Sequence, residues 1–226
     1  MSAPLASTEF PARAWEWIRW RGPGSFLLAV VRRLLRPIIE IQRHLFVEAD
    51  MTEPLLPAAA RVPLDVRLAT LADFEQYEEA FRAGGVSLEE ARRRHERGDV
   101  CIIGLSGAHL AGFNWLTFSS FRAPELDATV ELEPGDAFGL FIFTLPAWRG
   151  KGIHPALASH SDSYLYSHSY KRLLFFIVPQ NQQSLKATEK LPNRRRTKTV
   201  WAIRLLGMRR PLLVGAASPV PPALVR

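Results

Sequence analysis

The sequence predicts an α/β (α+β layered) fold in which helices flank a mixed central sheet. Three observations predict it. Apolar runs of strand length recur from residue 64 onward, among them "DVCIIGL", "AFGLFIFTL" and "KRLLFFIVP". Segments of helical spacing alternate with them, giving the order strand, two helices, three strands, helix, strand, helix, strands. The composition is globular, with 47% hydrophobic and 23% charged residues in a chain of 226, enough to bury a core and leave an extension.

Residues 1–60 read as an N-terminal amphipathic extension and linker, 61–212 as the folded domain, and 213–226 as a flexible tail. The extension sets Trp15, Trp17 and Trp20 among Arg13, Arg19 and Arg21, then carries "SFLLAVVRRLLRPIIEIQRHLF", whose spacing is helical with a break at Pro37. Arginine with tryptophan on such a helix suits an anionic membrane surface. It equally suits packing on its own domain or on a second subunit, as in a homodimer. "LDVRLAT" alternates as a strand. Thr70 caps the helix that follows, with Asp73 at its third position, and Ser87 and Glu90 form a capping box for the next. "DVCIIGLSGAHLAGFNWLTFSSF" is two strands joined at Ser106-Gly107. An acidic loop, "ELDATVELEPGD", precedes the strand "AFGLFIFTL"; "HPALASHSDSYLYSHSY" is helical, "KRLLFFIVP" a strand, "NQQSLKATEKL" a short helix, and "TKTVWAIRLLGM" one or two strands.

The net charge of +7 favours anionic partners. Eight Lys or Arg and no Asp or Glu lie between Lys190 and Arg210, which reads either as a solvated loop or as contact with an anionic substrate or lipid. No aromatic residues are spaced there to stack bases, which argues against nucleic acid. The lone Cys101 sits in an apolar run and excludes an intramolecular disulfide framework. The six histidines show no metal-ligand spacing, so no metal is expected. Neither a signal peptide nor a transmembrane stretch is read, and a cytoplasmic protein, peripheral to a membrane face, is expected.

The turn "WRGKGIHPAL" carries the chemistry. It follows a strand and precedes a helix. Gly150 and Gly152 remove side chains where the chain bends, so that backbone N–H groups and the positive end of the helix dipole converge beside Arg149 and Lys151. That is an anion site suited to phosphate. The glycine spacing is not that of a dinucleotide fingerprint, and Ile153 and His154 replace the Lys-Ser/Thr pair of a triphosphate loop.

These residues resemble the GCN5-related N-acetyltransferases, whose acyl-CoA loop reads Arg/Gln-x-x-Gly-x-Gly/Ala. Arg149 and Gly152 match it, and His154 stands where Gly or Ala is usual. "NQQSLKATEKL" is similar to the family's Asn-x-x-Ser/Ala segment through Asn181 and Ser184, and "VRLATLADFEQYEEAF" to its first strand and helix. The resemblance spans residues 62–210. It implies a twisted sheet splayed in its middle, with acetyl-CoA or another acyl-CoA wedged in the splay. The donor would lie against Phe143, Thr144 and Leu145, the loop Arg149, Gly150, Lys151, Gly152, Ile153 and His154, and Asn181 and Ser184. It implies acyl transfer to an amine, either a small molecule or an amino sugar or other envelope precursor. Thr188 stands where the family often has a tyrosine, which keeps open a second reading, a catalytically weak acyl-CoA-binding or membrane-associated scaffold. The base expected for the amine is a carboxylate of the acidic loop: Glu131, Glu133 or, nearest the strand, Asp136.

Overall fold

The computed structural model describes residues 39–54, 57–189, 191, 193–208, 210–215 and 222–225. The described chain opens with β1 (Ile39–Asp50) and β2 (Asp65–Leu68), followed by α1 (Leu71–Gln76), α2 (Glu78–Ala83) and α3 (Leu88–Glu96). Strands β3 (Val100–Ser106), β4 (His109–Thr117), β5 (Phe121–Ala123), β6 (Ala128–Glu131) and β7 (Asp136–Thr144) come next. A 3-10 turn at Pro146–Trp148 leads into α4 (Ile153–Ser167), β8 (Arg172–Ile177), α5 (Gln182–Thr188), β9 (Arg194–Leu205), β10 (Leu212–Val214) and β11 (Ala223–Val225). Among the described residues eight strands form one mixed sheet in the order β10-β9-β1-β8-β7-β4-β3-β2, and β11-β6-β5 form a small second sheet.

Alternation sets the two faces. On one face Leu45, Val47, Ile102, Ala137, Leu173 and Phe175 meet Ile153, Leu157 and Leu165 of α4. On the other, α1 to α3 cover β3 and β4 through Phe74, Phe81 and Ala91 against Ile103, Phe113 and Trp115. The small sheet covers the rest of that face, closing over Phe46, Phe138 and Leu174. Burying each such side chain contributes about 1.5–3 kcal/mol. Cys101 is one of these buried core residues.

β1 corrects the helical reading of residues 39–46. Ile39, Ile41, Leu45, Val47 and Ala49 recur at a spacing of two, and the segment pairs antiparallel with both β8 and β9. The sheet thus includes residues expected in the extension, and a truncation at residue 50 would remove a strand from the middle of it. The Trp/Arg-rich segment at residues 13–36 lies outside the described residues. The tail is corrected as well, since Leu212–Val214 pairs with β9 and Ala223–Val225 with β6. The acidic loop contains β6, and the arginines expected in a solvated loop begin β9, where Arg194 is buried. Among the described residues no helix is long and apolar enough to cross a membrane.

Thr70 and Asp73 behave as the capping pattern predicts. The Asp73 carboxylate accepts from the N–H and hydroxyl of Thr70 at 2.7 and 2.8 Å and from Arg67 at 2.6 and 2.7 Å. The Arg67 hydrogen bond, ahead of those from Thr70, holds its pKa down at about 2. A carboxylate depressed in the folded state stabilises above its unfolded pKa and loses that contribution as pH falls through the folded one. Asp73→Asn should therefore lower stability at pH 7 by about 1–2 kcal/mol, discounted for the exposed guanidinium of Arg67. The difference should vanish between about pH 4 and pH 2, as urea titrations across that range would show.

Candidate functional site

The site begins where β7 and β8 part. They pair in parallel only from Asp136↔Arg172 to Phe138↔Leu174. Beyond that, β7 follows β4, reaching Thr144↔Gly112, while β8 follows β1. The edge of β7 from Gly139 to Thr144 therefore faces a gap and not a strand. The parting is built into β7 by a bulge: Phe141 and Ile142 together oppose Asn114, and Phe141 takes a φ of +46°, which side chains other than glycine rarely adopt.

A cavity of about 200 Å³ fills the gap on the α4 face. Gly139, Phe141 and Ile142 of β7, Phe175 and Ile177 of β8, His154 and Ser161 of α4, and Asn181, Ser184 and Thr188 from the α5 segment are among the residues that line it. Gly150 (φ +76°) and Gly152 (φ +79°) carry the loop into α4, whose His154 lines the cavity. Gly152 caps the helix with no side chain, and position three is Pro155, which has no N–H. Among the described residues the N–H groups of Ile153 and His154 have no backbone acceptor, at the positive end of a 15-residue helix. Lys151 sits over the Trp148 ring at 4.4 Å, and the Lys151 carbonyl accepts from Arg61 N–H at 2.8 Å, which ties the loop to the segment before β2.

Three buried polar atoms around this cavity have no hydrogen-bond partner among the described residues: Asn114 Oδ1, His154 Nδ1 and Arg194 Nη1. Each such atom costs about 1–3 kcal/mol if left dry. The Asn114 orientation is fixed. Its Nδ2 donates to Ser161 Oγ at 2.8 Å, and Ser161 Oγ donates to the Leu157 carbonyl at 2.9 Å, so the amide oxygen is the atom left over. Burial, and then the charge of Arg194, pushes the His154 pKa below its usual value, so the ring is neutral at pH 7. Arg194, with only 3% of its side chain exposed, gives one nitrogen, Nη2, to both oxygens of Asp162 at 2.6 and 2.8 Å. Burial pushes the Asp162 carboxyl up against the pull of that arginine.

A second cavity, about 530 Å³, opens on the opposite face of the sheet between α3 and the small sheet. It shares Gly139, Phe141 and Phe176 with the first, so the two meet across the gap. Arg93, Arg94, Arg97 and Arg122 stand around it with Glu90 and Glu125. Arg94 lies over the Phe141 ring at 4.7 Å and 3.4 Å from Asp99; its Nε is 2.7 Å from Glu90 but off the line of a hydrogen bond. Arg93 pairs with Glu90, Arg97 with Asp99 and Arg122 with Asp127. Among the described residues Glu125 has no ion-pair partner.

The sequence-predicted residues divide. His154, Asn181, Ser184 and Thr188 line the first cavity; Phe143 and Thr144 follow the bulge on β7, and Leu145 comes directly after that strand. Asn181 Oδ1 accepts from Ser184 N–H at 3.1 Å, capping α5. The carboxylates expected to act as base stand outside the lining of both cavities. Asp136, 2% exposed, begins β7 at the paired end of the gap, where both of its oxygens accept from Arg172 at 2.7 and 2.9 Å. Glu133 accepts from the same guanidinium at 2.6 Å. Glu131 is on β6, 3.4 Å from Ser120. Neither cavity includes any of the three. Sequence reasoning passed over Glu125, the first residue of the same acidic loop, and Arg194; composition flagged both, but only the fold selects them.

No family model matches this chain, and no curated protein matches it. Solved structures do. A GCN5-related N-acetyltransferase from Sphaerobacter thermophilus superimposes with a TM-score of 0.53 at 13% identity, covering 79% of this chain and 56% of that one. A protein from Novosphingobium aromaticivorans assigned to the GNAT family gives 0.51 at 14%, covering 80% and 67%. A GCN5-related N-acetyltransferase from Kribbella flavida gives 0.51 at 11%, covering 81% and 63%. The chain therefore has the fold of those acetyltransferases, and it spans less than two thirds of the Sphaerobacter and Kribbella proteins.

Proposed function

We propose that the chain is an acyl-CoA-dependent N-acyltransferase that uses acetyl-CoA or another acyl-CoA as co-substrate and an amine as acceptor. The observation that carries the reading is the parted β7–β8 gap, whose cavity is lined by polar atoms unpartnered among the described residues, one of them on His154, two residues past Gly152. The turn and the open N–H groups of α4 hold a diphosphate, with Arg149 and Lys151 beside it. The bared edge of β7 pairs with the amides of the pantetheine arm as a strand would. Asn114 Oδ1 and His154 Nδ1 are polar contacts available along that arm.

The acceptor enters from the second cavity and meets the thioester across Phe141. The amine nitrogen bonds to the thioester carbon, the C–S bond breaks, and the sulfur leaves as CoA thiolate. The amine's proton must go to a base. Glu125, beside the cavity and without an ion-pair partner among the described residues, is the carboxylate we assign to it, in place of the three expected from the sequence. A small-molecule amine or an amino sugar suits this arrangement. An envelope precursor would bring the reaction to a membrane, where the Trp/Arg composition of residues 13–36 suits an anionic surface; a homodimer contact is the other partner that segment suits.

Thr188 at the α5 end of the cavity supports one other reading, an acyl-CoA-binding protein with little turnover. One experiment separates the two: calorimetric binding of CoA, followed by thiol release from acyl-CoA with a panel of amines. Binding with amine-dependent release is the expected result. Binding without release leaves the second reading, and no binding overturns both.

A further inference from the structure

His154, two residues past Gly152, lines the cavity in the gap, as do Thr188, Leu191 and Arg194. Arg194 pairs with Ala49 and Ala49 with Leu173, so Arg194 lies toward the end where β7 and β8 still pair, away from the open end beside Thr144. If the phosphates of the donor rest on the turn, its acyl group points toward the paired end, and this inference rests on that reading. The far end is not apolar. Arg194 is buried there, held from behind by Asp162, and spends a single nitrogen on both oxygens of that carboxylate. Among the described residues its Nη1 has no acceptor, and it is buried from solvent. An acetyl methyl placed against it would leave a guanidinium donor dry, at the cost of an unmade charged hydrogen bond. An oxygen there would complete the arginine's planar edge with a charge-assisted bond.

We infer that the donor is the thioester of a dicarboxylic acid, whose free carboxylate is received by Arg194 at the paired end of the cavity. Asp162 positions the guanidinium rather than touching the donor. The assignment explains why a charged pair is buried where the acyl end of a donor would lie, a place that a two-carbon acyl group would leave with an unsatisfied cation.

Succinyl-CoA, acetyl-CoA and CoA are the probes, titrated calorimetrically into the full chain. Succinyl-CoA should bind at least about tenfold more tightly than acetyl-CoA, the gain expected of one charge-assisted hydrogen bond. Replacing Arg194 alone strands Asp162 in the interior and risks the fold. The paired variant Arg194→Gln/Asp162→Asn removes both charges together and keeps the side-chain volumes close. In it, the preference should shrink to less than about twofold while the affinity for CoA itself is retained. Equal affinity of the wild-type chain for the two thioesters would mean that water or the thioester oxygen suffices for Nη1, and would overturn the inference while leaving CoA binding intact. A preference that survives in the paired variant would overturn it too. Failure of all three probes to bind would reject the proposed function and this inference with it.

Discussion

Aspartate in place of Gly152 will lower the affinity for CoA by at least about 100-fold. Two effects combine. Gly152 has a φ of +79°, and a Cβ there would stand 3.3 Å from Ala60 Cα and 3.4 Å from the Arg61 nitrogen, both backbone atoms of the segment strapped to the loop. The left-handed conformation alone costs a larger residue about 1–2 kcal/mol. The introduced carboxylate would also face the diphosphate. Two like charges about 4 Å apart repel by on the order of 4 kcal/mol at an effective dielectric of 20, several powers of ten in affinity. Gly150→Asn separates the two effects. Gly150 has nearly the same φ, +76°, but a Cβ there meets nothing within 4 Å, and asparagine brings no charge. It should keep affinity within about tenfold. A folded Gly152→Asp chain, verified by circular dichroism, that binds CoA like the wild type would show that the phosphates lie elsewhere.

Glu125→Gln is the second large effect. If Glu125 takes the amine's proton, turnover should fall about 100-fold or more, the usual worth of a positioned general base. Thr188→Ala should cost less than about tenfold, because a thiol with a pKa near 8.5 leaves readily without a donated proton. Asp136→Asn offers the contrast. It should weaken the bond to Arg172 and cost about 1–3 kcal/mol of stability, while turnover per folded molecule stays within about threefold. Normal turnover in Glu125→Gln across the pH range would return the proton to His154 or to the substrate itself.

The strand–turn–helix at Gly150–Gly152 was legible because its signal is local: a strand, two glycines and a helix within about fifteen residues. The Thr70–Asp73 cap was legible for the same reason. β1 was misread although its alternation is visible in "IEIQRHLFVEA", because the arginine- and leucine-rich run before Pro37 carries a helical pattern straight up to it. Only pairing with strands more than a hundred residues away decides the matter. The burial of Arg194 depends on Asp162, 32 residues earlier, which no spacing rule connects. Among the carboxylates of one acidic loop, proximity to the strand favoured Asp136. The fold gave Asp136 a guanidinium and left Glu125 beside a cavity.

The position of β1 bears on how the chain is made. Leu45 pairs with Ile177, a separation of 132 residues, and β1 touches β9 later still. At about 5–20 residues per second, a ribosome needs on the order of ten seconds to supply those partners. Through that interval a 12-residue strand rich in Ile, Leu and Val waits with both edges bare. The half of the sheet from β2 to β7 can assemble as it emerges, but β8 and β9 must then capture β1 between them, a closure of high contact order and so a slow one. Translation pauses and chaperones that shield the nascent chain would therefore govern the yield of active protein more than the strength of any contact in the finished fold.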